Sequence, residues 1–119
     1  NVWDLRPTDR GDAIENELAR TEYSDWYHVG EEYNGYFDLV DFQNGNTLVS
    51  LKTVDTSGST WIGRMQGHIR DLGSGRATVD GQPANMVLDL RVQPGGTEAA
   101  NELIEFGIEH GVSVRVREF

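Results

Sequence analysis

"FDLVDFQNGNTLVSLKTVD", residues 37–55, decides how the rest of the chain is read. Apolar and polar residues alternate with period two on both sides of Gln43-Asn44-Gly45-Asn46, which offers both Asn-Gly and Gly-Asn, the dipeptides of two-residue hairpin turns. Two strands joined by a tight turn follow. A turn at Asn44-Gly45 sets Asp41 opposite Leu48, and one at Gly45-Asn46 sets it opposite Ser50. Directly opposed residues on antiparallel strands point to the same face. Asp41, Ser50 and Lys52 are therefore expected on one side in either register, among Phe37, Leu39, Leu48 and Val54, with Asp38 on the other. In the Gly-Asn register Asp41 sits beside Ser50, and Lys52 is one same-face step, roughly 7 Å, along the strand.

Lys52 is the only lysine in a chain with nine arginines. A guanidinium stays protonated, whereas a compact ammonium responds to burial and to a nearby metal, so the two are not interchangeable at a reacting centre. An acid, a hydroxyl and an ammonium on one strand face suit hydrolysis at phosphorus. The carboxylate holds a divalent cation that polarises a phosphoryl oxygen and acidifies a water, and the lysine orients that water or offsets developing charge. One carboxylate is too few for Mg²⁺, and Glu15, on a preceding helix, is the natural second. The plainer alternative is a solvent-facing cross-strand ion pair between Asp41 and Lys52, worth about 0–1 kcal/mol.

Outward from the hairpin the pattern stays regular. Asp9 is placed to cap a helix over about residues 10–20, with Ala13, Ile14 and Leu18 as its apolar stripe. Residues 21–36 lack a clean period and read as a loop with room for a short strand. Residues 59–72 place Ile62, Met65, Ile69 and Leu72 at helical spacing, with Arg64 and His68 one turn apart on another face that Arg70 does not share. After a Gly-rich connection, "NMVLDLRV" reads as a strand, "TEAANELIEFGIEH" as a helix capped by Thr97 and stopped by Gly111, and "VSVRVRE" as a last strand. The expected class is α/β or mixed α+β, a central mixed sheet with a hairpin, flanked by helices.

At 119 residues the chain is one domain's worth of core. It has no cysteine, hence no disulfide and no thiolate metal site, and no apolar run nears the roughly 20 residues that span a bilayer. It opens on Asn1, so residues 1–8 are expected to be a linker from a longer parent. The net charge of −10 argues against a general nucleic-acid binder. It is unevenly spread: residues 1–59 hold 4 Lys/Arg against 12 Asp/Glu, a net −8, while 60–79 hold Arg64, Arg70 and Arg76 against Asp71, a net +2. Acid-rich, lysine-poor composition also arises from adaptation to high salt or from coding bias.

The order helical Glu, Asp41, then Ser50-x-Lys52 across a hairpin resembles the PD-(D/E)xK superfamily of restriction-endonuclease-like nucleases. More specifically, "RGDAIENELA", "FDLVDFQNGNTLVSLKTVD" and "VLDLRVQPGGTEAANELIEFGIEHGVSVRVREF" are similar to C-terminal toxin domains of bacterial contact-dependent growth inhibition proteins, the tRNA-cleaving group above all. The resemblance covers most of residues 10–119. It implies a restriction-endonuclease-like core and a catalytic set of Glu15, Asp41, Ser50 and Lys52, with Glu15 and Asp41 as metal ligands. It also implies Mg²⁺, with Mn²⁺ or Zn²⁺ as alternatives, a tRNA substrate and a cognate immunity protein. Such a domain is delivered on a secreted or cell-surface toxin and acts in the target-cell cytoplasm. Ser50 departs from the Glu or Asp of many restriction enzymes, which makes Glu15 more necessary. Arg64, His68 and Arg70 are candidates for guiding a phosphate backbone. Tyr23, Trp26, Tyr27, Tyr33 and Tyr36 are candidates for stacking bases or anchoring a loop. Arg115 and Arg117 suit the wet face of an outer strand or phosphate contacts, and Asp55 a turn or helix cap. A DNA endonuclease of the same fold and a non-catalytic acidic binding or immunity-like module are the alternatives.

Overall fold

A computed structural model describes residues 1–29, 39–75 and 77–119, so expectations placed on Tyr33, Tyr36, Phe37, Asp38 and Arg76 lie outside it. The hairpin is formed by β2 (Phe42–Asn44) and β3 (Thr47–Val54), with Phe42 opposite Val49 and Asn44 opposite Thr47. Gly45-Asn46 is therefore the turn. Gly45 alone takes a positive φ, 57°, the pattern of a II′ turn with glycine at its first central position, whereas Asn44-Gly45 as a I′ turn would need two positive φ values. Asn46 is further tied by its side-chain N–H to Pro83 O at 2.8 Å and by its carbonyl, which accepts from Asn85 N at 2.9 Å.

The remaining elements are a 3₁₀ turn (Val2–Asp4), α1 (Pro7–Arg20), β1 (Tyr27–His28), α2 (Trp61–Ser74), β4 (Thr78–Val79), β5 (Gln82–Pro83), β6 (Asn85–Val92), α3 (Thr97–Ala100), α4 (Glu102–Glu109) and β7 (Val112–Glu118). Asn101 keeps helical dihedrals, so α3 runs on into α4. The main sheet has the order β1-β2-β3-β6-β7, antiparallel across β1-β2-β3 and parallel across β3-β6-β7. The chain is thus an α+β fold on a mixed five-stranded sheet. The two parallel crossovers progress in one direction, and such connections share a hand, so α2 and α3/α4 fall on the same face. There Trp61, Met65, Ile69, Leu72 and Leu103 bury Val54, Leu88, Leu90, Val92, Val112 and Val114. Ile14 and Leu18 of α1 close the opposite face with Tyr23, Phe42, Val49, Leu51 and Val87.

Some boundaries differ from those the sequence predicts. The first helix begins at Pro7, not near residue 10, because proline suits the first helical position and its missing N–H costs nothing there. Asp9 consequently lies inside the first turn and pairs with Arg6 at 3.3 Å instead of capping. Thr97 is likewise the first helical residue and makes no cap, while Gly111, at φ 75°, follows the end of α4 as expected. The Gly-rich connection contains the small hairpin β4-β5, turned by Asp80 (φ 51°) and Gly81 (φ 80°). Of residues 1–8, expected as a linker, Val2 and Trp3 pack on the α1-side core, Trp3 Nε1 donates to Phe119 O at 3.1 Å, and Pro7 and Thr8 open α1. Among the described residues no helix is long and apolar enough to cross a membrane.

Candidate active site

Beyond Phe42 the hairpin ladder changes character. Asp41 N still donates to Val49 O, at 2.8 Å, but the Leu51 N–H is taken by Asp41 Oδ2 at 2.7 Å, a side chain standing where the ladder would otherwise offer a carbonyl. This carries the Asp41 carboxylate into a cleft on the α1 side of the sheet, lined by Thr8, Gly11, Asp12, Glu15, Leu51, Lys52 and Thr53, with a volume of about 280 Å³. Glu15 and Asp41 therefore do come together, although they arise from a helix and a strand end 26 positions apart. Burial first, and the Glu15 charge with it, push the Asp41 carboxyl up to about 7, against the Leu51 N–H and Lys52, which pull it down.

The expectation that Asp41, Ser50 and Lys52 share one face needs correction at Asp41. Ser50 is fully buried on the α2 side, where its Oγ lies 2.8 Å from His68 Nε2. Lys52, two residues on, lines the Glu15/Asp41 cleft and also a second cleft of about 380 Å³ formed by Gly63, Arg64, Met65, Gly67, His68 and Asp71 of α2. The reason is local: strand parity governs Ser50 and Lys52, which are in β3, but Asp41 lies just past the end of β2. Lys52 makes no ion pair with any described residue, so the ordinary Asp41–Lys52 pair does not form. His68 is held neutral near pH 7: burial first and the Lys52 charge second push it down to about 4, with Asp71 opposing.

The other candidates are sorted by the same geometry. Arg64 and His68 share the Lys52 cleft, while Arg70 lies elsewhere, its guanidinium 5.2 Å from the Phe106 ring centre. Tyr23 is core, stacked on Phe42 and edge-on to Trp26, and Tyr27 is partly exposed beside Val29, Val40 and Leu48. Asp55 caps a turn, accepting from Ser57 N at 3.0 Å. Arg115 is exposed. Arg117 instead joins Arg91 around the fully buried Asp89 and the exposed Glu22, and Tyr23 Oη donates to Asp89 as well. That network was legible only as Asp89 and Arg91 alternating with Leu88, Leu90 and Val92. His28, whose Nε2 lies 2.7 Å from Glu15 Oε2, is absent from the sequence reading, since a two-residue strand is too short for period two to show.

Two carboxylates crowded in a half-buried cleft, one with its proton held to about pH 7, form an oxygen donor set that a divalent cation would relieve of its repulsion. Among the described residues no set of three His, Asp or Glu side chains is gathered for a metal. Compared with protein-family models, with curated protein sequences and with solved structures, the chain gives no match in any of the three.

Proposed function

We propose that this domain is a metal-dependent phosphodiesterase of restriction-endonuclease-like kind, a nuclease toxin domain that cleaves RNA, with tRNA as the first substrate to test. The observation that carries the reading is that Glu15, Asp41 and the chain's only lysine line one cleft, with Lys52 unclaimed by any described carboxylate. Glu15 and Asp41 supply anionic oxygens for a divalent cation, which when bound offers a polarised phosphoryl oxygen and an acidified water. Lys52 stands beside them as the fixed positive charge that orients a nucleophile or offsets charge on the phosphorane oxygens. Ser50 is too buried to touch a substrate and instead holds His68 in the adjoining cleft. Neutral His68 and cationic Arg64, which line that cleft, contact the strand on one side of the scissile phosphate in this reading. Delivery into a competing cell and a cognate immunity protein belong to the same reading.

Incubation with total RNA in Mg²⁺, Mn²⁺ or Zn²⁺ tests it, with plasmid nicking in parallel to detect a DNA substrate. We expect discrete RNA fragments from the wild type and a loss of about 10²–10³-fold or more in Lys52→Ala, the scale seen when one charge-stabilising donor is removed. Intact RNA, or equal cleavage by the variant, would sink the assignment. The net charge of −10 favours a second reading, a non-catalytic acidic binding module. Expression in cells separates the two: growth arrest that requires Lys52 excludes the binding module.

A further inference from the structure

The Glu15 carboxylate has a neighbour besides the residues that line the cleft. His28 Nε2 lies 2.7 Å from Glu15 Oε2, and both side chains are mostly shielded, 17% and 28% exposed. The imidazole is held where it is by more than this contact. β1 pairs His28 with Phe42, the residue next to Asp41, and Val29 N donates to Asp41 O at 2.9 Å. The ring stacks on Phe42 with centroids 4.8 Å apart and planes 24° apart, and Phe42 stacks in turn on Tyr23 at 4.4 Å and 13°. Tyr23 is anchored by its hydroxyl on buried Asp89. A column of three rings thus runs from the buried charge network to the cleft, and its last ring meets Glu15.

A glutamate has three rotatable bonds to fix, and once Asp41 is ionised the two carboxylates repel each other. We infer that His28 is a positioning residue, whose hydrogen bond holds the Glu15 carboxylate at the cleft beside Asp41 so that the two present arranged oxygen donors to a divalent cation. The inference rests on the reading of Glu15 and Asp41 as cation ligands. Outer hydrogen bonds that hold metal-binding side chains are commonly worth about 10–100-fold in metal affinity.

Calorimetric titration of Mn²⁺ into the chelator-treated protein tests this, using wild type, His28→Phe, which keeps a ring on Phe42, and His28→Gln, which keeps a donor near the Nε2 position. We expect His28→Phe to weaken Mn²⁺ binding by about 10–100-fold, His28→Gln to stay within a few-fold of wild type, and Asp41→Asn to remove binding. Wild-type affinity in His28→Phe, with binding still lost in Asp41→Asn, overturns the inference alone. Equal weakening in His28→Phe and His28→Gln assigns the effect to packing of β1 and also overturns it. No Mn²⁺ binding by the wild type, or binding that survives both Glu15→Gln and Asp41→Asn, overturns the cation reading and the inference with it.

Discussion

Asp41 and His68 flank Lys52 and titrate with opposite consequences for stability. Asp41 is raised from 3.8 to about 7, so between those values the unfolded chain has lost a proton that the native state keeps, and stability falls as pH rises. His68 is lowered from 6.5 to about 4, so over that interval the unfolded chain takes up a proton that the native state refuses, and stability rises with pH. From about pH 4 to 6.5 the two contributions cancel in part, and above 6.5 only that of Asp41 remains. Urea midpoints measured in chelator across pH 4–8 should therefore diverge between variants. Relative to wild type, Asp41→Asn gains stability as pH rises, and His68→Gln loses it between pH 4 and 6.5. Taking differences removes the titration of the other carboxylates, and parallel curves for all three proteins would refute both assignments. The identities of these residues were readable from the hairpin and helix spacing. Their charge states were not, because burial and the bend past Phe42 that brings Asp41 to Glu15 are tertiary.

At the scale of elements, identical residues in helices carry opposite meanings. Gly107 of α4 is required by close approach: a Cβ there would stand 2.4 Å from Val114 Cγ2 and 2.6 Å from Val112 O, where α4 rests on β7. Gly63 and Gly67 of α2 meet nothing within 4 Å, and both line the cleft that Lys52, Arg64 and His68 share. Interior glycine costs a helix about 0.5–1 kcal/mol against alanine, so Gly63→Ala and Gly67→Ala should each raise stability by about that amount. Gly107→Ala should lower it by about 1–3 kcal/mol through overpacking. Denaturant midpoints read both signs, and a destabilised Gly63→Ala would refute the open space around that position. Apolar patterning and turn residues placed all the longer helices and strands: the helices bury one stripe each, while β3 and β6, covered on both faces, show as nearly continuous apolar runs. These signals could not distinguish the glycines, nor find β1 and β4-β5, whose two-residue strands are defined by partners and by the Asp80-Gly81 turn.

For the whole molecule, the order β2-β3-β6-β7 is built from one tight hairpin, legible in the sequence, and two parallel crossovers, while β1 joins the hairpin's outer edge. The cleft lies between α1 and the end of the central strand β3, in a body of 41 × 31 × 22 Å carrying −10. How far that charge reaches depends on salt, because the screening length is about 30 Å at 0.01 M and about 10 Å at 0.1 M. In dilute buffer a polyanion approaching Lys52 and Arg64 feels nearly the entire acidic molecule, and near 0.1 M it feels mainly the cleft. An ordinary nucleic-acid binder weakens steadily as salt rises, through counterion release. For the proposed nuclease the two effects act in sequence. Initial cleavage rates at subsaturating RNA and fixed divalent cation should rise between about 10 and 100 mM NaCl as global repulsion is screened. Above that range they should fall as the local contacts weaken. A monotonic fall across the whole range would mean that the Lys52 and Arg64 cleft outweighs the remaining acidic surface at every distance, and would refute this account of how so acidic a chain meets RNA.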